Sequence, residues 1–179
     1  MAQYVAGDRA AFRRLFEVLA PKIRAFFLRS FSDAAVADDL TQATFLKLHR
    51  ARASYRVDLP LKPWVFTIAA GVRRDELRRR YRLPRQVDEA ELERAESEAA
   101  PGAPSPALAD ELEQVRQAVA RLPESQRVVV HLHRYEDLTF EQIAEVLATT
   151  PGAVRVRASR AYEKLREELR PLLGVKPPK

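Results

Sequence analysis

Apolar side chains recur along this chain at intervals of three and four residues and nowhere alternate with polar ones over any length. That period sets each group along one side of an α-helix, at about 100° per residue. Phe12, Leu15, Phe16 and Leu19 form the first stripe. Ile23, Phe26 and Phe27 form a second, and Pro21 between them predicts a fresh helix start. Ser32 is placed to cap a third helix, with Val36, Leu40, Thr44, Leu48 and Ala51 turned inward. Residues 55–63 read as an irregular segment with two prolines. A long helix follows, buried through Val65, Ile68, Ala69 and Val72, and ends in Arg78-Arg79-Arg80.

The pattern breaks after Pro84. Residues 86–101 hold Asp88, Glu89, Glu91, Glu93, Glu96 and Glu98 against the cation Arg94, and a proline-rich stretch, 101–106, follows. Few apolar residues and high charge predict a flexible tether. Beyond it a helix over 107–121 is expected, then a turn at Leu122-Pro123 and a helix reaching His133. The fold class is therefore all-α: a helical bundle at 1–83, a linker at 84–106, a second helical domain at 107–173 and a tail at 174–179.

The second domain ends in two short amphipathic helices joined by a tight turn. Phe140, Ile143, Ala144 and Leu147 are one stripe, and Thr139 with Gln142 forms a capping box ahead of it. Thr150 caps the next helix, with Pro151 at its first position. Its buried stripe is Val154, Ala158, Ala161 and Leu165; the opposite face offers Arg155, Val156, Ser159, Arg160 and Glu163. Arginines around a small hydroxyl suit a DNA major groove. The same pattern also describes a plain helical hairpin with a solvated charged face.

Two further surfaces carry candidate chemistry. On the long helix, Thr67, Ala70, Gly71, Arg74 and Arg78 share a face, with Arg73, Arg79, Arg80 and Arg82 widening the charge around it. Small residues let a base or backbone approach, and arginines neutralise phosphates. Gly71 costs about 1 kcal/mol relative to alanine inside a helix. The preceding loop, with Tyr55, Arg56, Asp58, Leu61 and Lys62, mixes aromatic, cationic and apolar groups that can hold an unstacked base. Trp64 beside it is expected in the core. On the third helix Leu46 projects with Asp39, Gln42, His49 and Arg50, an apolar knob among charges suited to protein docking.

Composition narrows the reading. Lys and Arg total 31 against 25 Asp and Glu, a net charge of +6, which favours a polyanionic partner. Cysteine is absent, and His131 and His133 diverge on one helix while His49 is remote, so neither metal nor cofactor is expected. The sequence offers no phosphate-cradling glycine loop and no nucleophile elbow, so no enzymatic activity is expected. Neither a signal peptide nor a membrane-spanning run is evident, and a cytoplasmic location with no membrane insertion is expected.

From residue 8 to residue 169 the chain resembles the small, two-domain extracytoplasmic-function (ECF) class of bacterial RNA polymerase sigma factors, within the sigma-70 family. The resemblance rests on Ala-Asp-Asp-Leu-Thr-Gln-Ala-Thr-Phe-Leu-Lys-Leu-His-Arg (37–50), Pro-Trp-Val-Phe-Thr-Ile-Ala (63–69), Arg-Asp-Glu-Leu-Arg-Arg-Arg (74–80), Leu-Pro-Glu-Ser-Gln-Arg (122–127) and Tyr-Glu-Asp-Leu-Thr-Phe-Glu-Gln-Ile-Ala-Glu-Val-Leu (135–147). It implies a non-catalytic subunit that directs core polymerase to promoters. Asp39, Gln42, Leu46 and His49 would dock on the β′ clamp helices, and the second domain would meet the β flap. The loop with Tyr55, Arg56, Asp58, Leu61 and Lys62, and the face with Thr67, Ala70, Gly71, Arg74 and Arg78, would recognise and melt the −10 element. Arg155, Val156, Ser159 and Arg160 would read the −35 element, with Arg157 and Lys164 on phosphates. An anti-sigma factor is a further implied partner.

Three positions depart from the family pattern. Gln42-Ala43 replaces the common Gln-Glu, and Ala70-Gly71 replaces the common Arg-Asn. Ala148 stands where the helix-turn-helix often has glycine, which costs of order 1 kcal/mol wherever the turn requires a positive φ. The alternative function is a stand-alone helix-turn-helix regulator.

Overall fold

The computed structural model describes residues 1–81 and 110–170. The expected linker at 84–106 and the tail at 174–179 lie outside the described residues, as does Arg82. In chain order the elements are α1 (Ala2–Val5), α2 (Arg9–Phe31), α3 (Ala34–Ala51), a 3-10 turn (Arg52–Ser54), α4 (Leu61–Tyr81), α5 (Asp110–Ala120), α6 (Glu124–Arg134), α7 (Phe140–Leu147) and α8 (Pro151–Glu168). The described residues hold no strand, and the chain is all-α.

Local chemistry sets most helix starts. Asp8 caps α2 by accepting from the Ala10 amide at 2.7 Å. Thr139 and Gln142 exchange hydrogen bonds of 3.2 and 3.0 Å, completing the expected capping box of α7. Thr150 accepts from the Ala153 amide at 3.2 Å, and Pro151 opens α8.

Two expected boundaries are corrected. Pro21 does not start a helix; it sits inside the continuous α2. An interior proline costs about 3 kcal/mol. The helix continues because Ala11, Leu19, Ile23, Phe26 and Phe27 form one unbroken buried stripe on both sides of it, while Pro21 itself faces outward. Ser32 does not cap α3 either. It closes α2 in the left-handed region at φ 54°, donating to the Leu28 carbonyl, and Asp33 caps α3 through the Val36 amide at 3.1 Å.

The core stripe of α3 is also rotated from the expected one. Ala37, Thr41, Thr44, Phe45 and Leu48 are buried, whereas Val36, Leu40 and Ala51 are only partly so. Thr41 and Thr44 tolerate burial because their hydroxyls donate to the Ala37 and Leu40 carbonyls at 2.7 and 2.8 Å. Phe16, expected inward, is 44% exposed.

The centre of the molecule is α6. Every residue from Glu124 to Leu132 is buried, since α2 packs on one side of this helix and α8 on the other. Phe26, Phe27, Val65 and Phe66 thereby join Val128, Val129, Leu132, Ile143 and Leu147 in one apolar cluster. The N-terminal helices (α1–α4) and the C-terminal helices (α5–α8) thus pack as a closed pair.

Candidate nucleic-acid and polymerase interfaces

The closed packing falls on one expected DNA surface. Helix α4 lies against α7. Thr67 stays exposed, its hydroxyl donating to the Pro63 carbonyl at 2.8 Å. Ala70 is 1% exposed and part of the common core. Arg74 is half-buried and donates to the Leu147 carbonyl at 3.2 Å. A cation suits that position, because the C-terminal carbonyls of α7 carry the negative end of its dipole. Arg78 is also half-buried. A Cβ added at Gly71 would meet nothing within 4 Å, so no packing among the described residues requires glycine there.

The wider basic rim is weaker than its sequence suggests. Arg73 is 1% exposed and forms an ion pair with the buried Glu124 of α6, so it is not a surface cation. The sequence placed it beside the DNA face; it falls instead on the turn of α4 facing α6. Arg79 and Arg80 both reach back to Glu76, at 2.7 and 2.9 Å. The Arg79 hydrogen bond is the main cause that holds the Glu76 carboxyl below its ordinary range.

The loop before α4 is folded on itself. Tyr55 donates to the Leu59 carbonyl at 2.7 Å, and its ring lies 5.0 Å from that of Trp64. Arg56 is paired with Asp58 at 2.8 Å, both exposed. Trp64 is partly buried against the core, as expected. Leu61 and Lys62 are half-buried in the first turn of α4, and Lys62 donates to the Glu136 carbonyl at 3.0 Å. Val57 and Leu59, apolar members of the same loop, are exposed.

On α8 the expected face is open. Arg155, Val156, Ser159, Arg160 and Lys164 are all exposed. Arg155 contacts Glu141 of α7 at 2.7 Å, and Ser159 donates to Glu163 at 3.4 Å. Arg157 differs: it is 6% exposed, on the inward side with Val154, Ala158 and Ala161. Three residues after Val154 and four before Ala161 place it on the buried stripe, which corrects its expected role on phosphate. Ala148 has φ 54°, so the turn does require the left-handed region that glycine favours.

The knob on α3 is exposed throughout: Asp39, Gln42, Leu46 and His49 all face solvent. His49 is also tied to α1, its Nδ1 2.5 Å from the Tyr4 hydroxyl. Phe16 of α2, 4.6 Å from the Phe45 ring, extends this surface. A groove of about 500 Å³ beside it is lined by Phe16, Pro21, Arg24, Asp38, Thr41 and Gln42. Periodicity placed Phe16 in the inward stripe of α2, so the sequence carried no signal for this groove. Among the described residues, no group of acidic, histidine or cysteine side chains could hold a metal ion, and no helix could cross a membrane.

Comparison with known proteins identifies this arrangement. Residues 15–83 match the model of sigma-70 region 2, and residues 112–165 match that of sigma-70 region 4. The chain belongs to the sigma-70 family and is an RNA polymerase sigma factor of the ECF class. It is 37% identical over 169 residues to RNA polymerase sigma factor CarQ of Myxococcus xanthus, covering 94% of this chain and 95% of that protein. It is 30% identical over 174 residues to the ECF RNA polymerase sigma-E factor of Escherichia coli K12, covering 93% and 91%. Among solved structures, CnrH in complex with the cytosolic domain of CnrY superposes with a TM-score of 0.63 at 26% identity, covering 94% and 93%. Sigma factor RpoE, in complex with anti-sigma factor NepR from Bartonella quintana, shares the fold at a TM-score of 0.68 and 24% identity, covering 89% and 97%.

Proposed function

We propose that the chain divides its work between two units, residues 1–83 and 107–173, and that three of its surfaces meet three different targets. Asp39, Gln42, Leu46 and His49, extended by Phe16, dock on the β′ clamp helices of core polymerase. Tyr55, Arg56, Asp58, Leu61 and Lys62, with Thr67, Ala70, Gly71, Arg74 and Arg78, capture the −10 element as single-stranded bases. Arg155, Val156, Ser159 and Arg160 read the −35 element in the major groove, with Lys164 on phosphate, while the C-terminal unit rests on the β flap. The observation that carries this reading is the region 2 and region 4 pair in one chain, with an exposed arginine face on α8. A stand-alone helix-turn-helix regulator is not favoured, because it leaves the region 2 match without a role.

The protein acts in the cytoplasm and has no catalysis of its own; the polymerase supplies the chemistry. Its DNA-opening work is thermodynamic: stacking a melted base on an aromatic platform contributes about 1–3 kcal/mol that duplex DNA cannot claim. An anti-sigma factor is a fitting partner, since relatives of the same fold are found in such complexes. The test is binding of the purified chain to core polymerase at low salt. Leu46→Asp should weaken it at least about tenfold, as loss of a docking hot spot does, while leaving helix content unchanged. Unchanged affinity would place the polymerase contact elsewhere.

A further inference from the structure

Helix α8 presents an apolar side chain where its outer face stands furthest from the core. At about 100° per residue, Val156 lies about 160° around the helix from the buried Val154 and about 140° from the buried Ala161, near the middle of the outward arc. It is 49% exposed. Its neighbours on that arc are drawn aside or small. Arg155 reaches Glu141 of α7 at 2.7 Å, and Ser159 donates to Glu163 at 3.4 Å. One turn earlier stands Gly152, exposed, where an added Cβ would meet only the Thr150 hydroxyl at 3.9 Å. No large side chain on the first turn of this arc therefore holds the helix away from a surface placed against it. One turn later, Arg160 is exposed and has no partner among the described residues.

We propose that Val156 is a specificity-determining residue of this chain, one that selects a thymine in the upstream duplex element by packing on its C5-methyl group, about two base pairs from the base taken by Arg160. The proposal rests on the −35 reading of α8 and adds to it the identity of one base. The spacing follows from geometry: four residues advance about 6 Å along a helix, against about 3.4 Å for each base step.

The chemistry of the groove leaves an isopropyl group few choices. It cannot pair with a phosphate. Pressed against a base amino or carbonyl group, it would strand a donor or an acceptor away from water. The apolar group that the major groove offers is the thymine methyl. Cytosine presents an amino donor on that edge, and the reversed pair presents the adenine N6 and N7 groups. One orientation of one A·T pair is therefore favoured, and the other three pairs are each disfavoured by an unpaired polar group. The side chain is also fixed in advance, because a β-branched residue in a helix holds mainly one χ1 rotamer. A merely solvated face would gain more from a straight-chain polar residue, which has the higher helix propensity. One buried methyl changes binding about fourfold, and that sets the effect to look for.

The test removes the methyl from the DNA and the isopropyl from the protein, separately and together. Core polymerase carrying the full chain first selects its upstream element from promoter duplexes randomised there. Each thymine of the selected element is then replaced by deoxyuridine, which deletes the methyl and keeps every hydrogen-bonding group. One replacement should weaken holoenzyme binding about fourfold. With Val156→Ser, a change at an exposed position with far-UV helicity as the check on folding, the same replacement should have no effect. With Arg160→Ala, which weakens the complex at a different base, the fourfold effect should remain. An element with no methyl-sensitive position overturns the proposal. So does a methyl effect that survives Val156→Ser in folded protein, or one that Arg160→Ala abolishes equally. Selection that enriches no upstream element at all would remove the −35 reading of α8 itself, a result distinct from an enriched element indifferent to its methyls.

Discussion

The two faces proposed to bind DNA are built from similar residues and are found in opposite states. On α8, Arg155, Val156, Ser159 and Arg160 stand in solvent. On α4, Ala70 and Arg74 lie under α7, and Lys62 is bound to the loop before it. Both helices are amphipathic with arginines among small residues, so composition does not separate them. What separates them is their neighbours. Helix α8 packs inward against α6 and, among the described residues, nothing covers its arginine face, whereas α4 is sandwiched between α3 and α7. A face that reads duplex DNA needs no protection, since duplex is always present to be sampled. A face built for unpaired bases has no ligand until the polymerase opens the promoter, and covering it keeps its apolar parts out of water.

The difference can be broken at the joint. Glu124→Ala leaves the Arg73 guanidinium buried beside α6 without its carboxylate, and removing one member of a buried pair costs about 3–5 kcal/mol. Urea denaturation should show that loss, and a change below about 1 kcal/mol would mean that Arg73 finds water on its own. Next in size is the contrast within α8. Arg160→Ala should weaken binding of polymerase holoenzyme to its −35 element by about 1–3 kcal/mol and relax specificity at one position. Arg157→Ala should leave that specificity intact and instead lower thermal stability, because Arg157 is buried. Equal effects on specificity would erase the distinction between the two arginines.

Acid provides a third handle. Burial, then the Arg29 and Lys22 charges, push the His131 pKa down from 6.5 to about 3. Below pH 6.5 the unfolded chain takes up a proton that the native chain refuses, so stability falls with pH between about 6.5 and 3. The slope from this one group reaches about 1.4 kcal/mol per pH unit. The rings of Phe26, Phe66 and Tyr135 lie around His131, and Arg29 and Lys22 supply the nearby charges. His131→Leu should remove the histidine share, measured as a flatter pH profile of the urea midpoint; parallel profiles would place His131 in water. The smallest effects are at two backbone positions. Ala148→Gly should stabilise the C-terminal half by about 1 kcal/mol by relieving the left-handed turn. Gly71→Ala should stabilise α4 by a similar amount and, if a base approaches Gly71, should lower transcription while raising the melting temperature.

Much of this was readable beforehand, for identifiable reasons. Capping chemistry is local, so Thr139, Gln142 and Thr150 were placed correctly, and so was the open face of α8. Leu46 stood out because one apolar residue broke a polar face. Tertiary packing was less legible. Pro21 was overridden by five buried residues around it, and the threonines of α3 were buried because they bond to their own helix. Arg157 and Arg73 read as surface cations because sequence charge does not say which turn faces a partner helix. The covering of α4 by α7 joins residues far apart in sequence, and no periodicity reports it.

The chain directs initiation to specific promoters, and that activity is directly measurable. Core polymerase from the same organism, supplied with this chain and fragmented genomic DNA, should produce transcripts whose start sites share two sequence elements at one fixed spacing, and Arg74→Glu should abolish them while leaving the complex with core intact. Starts that remain scattered as with core alone would contradict it.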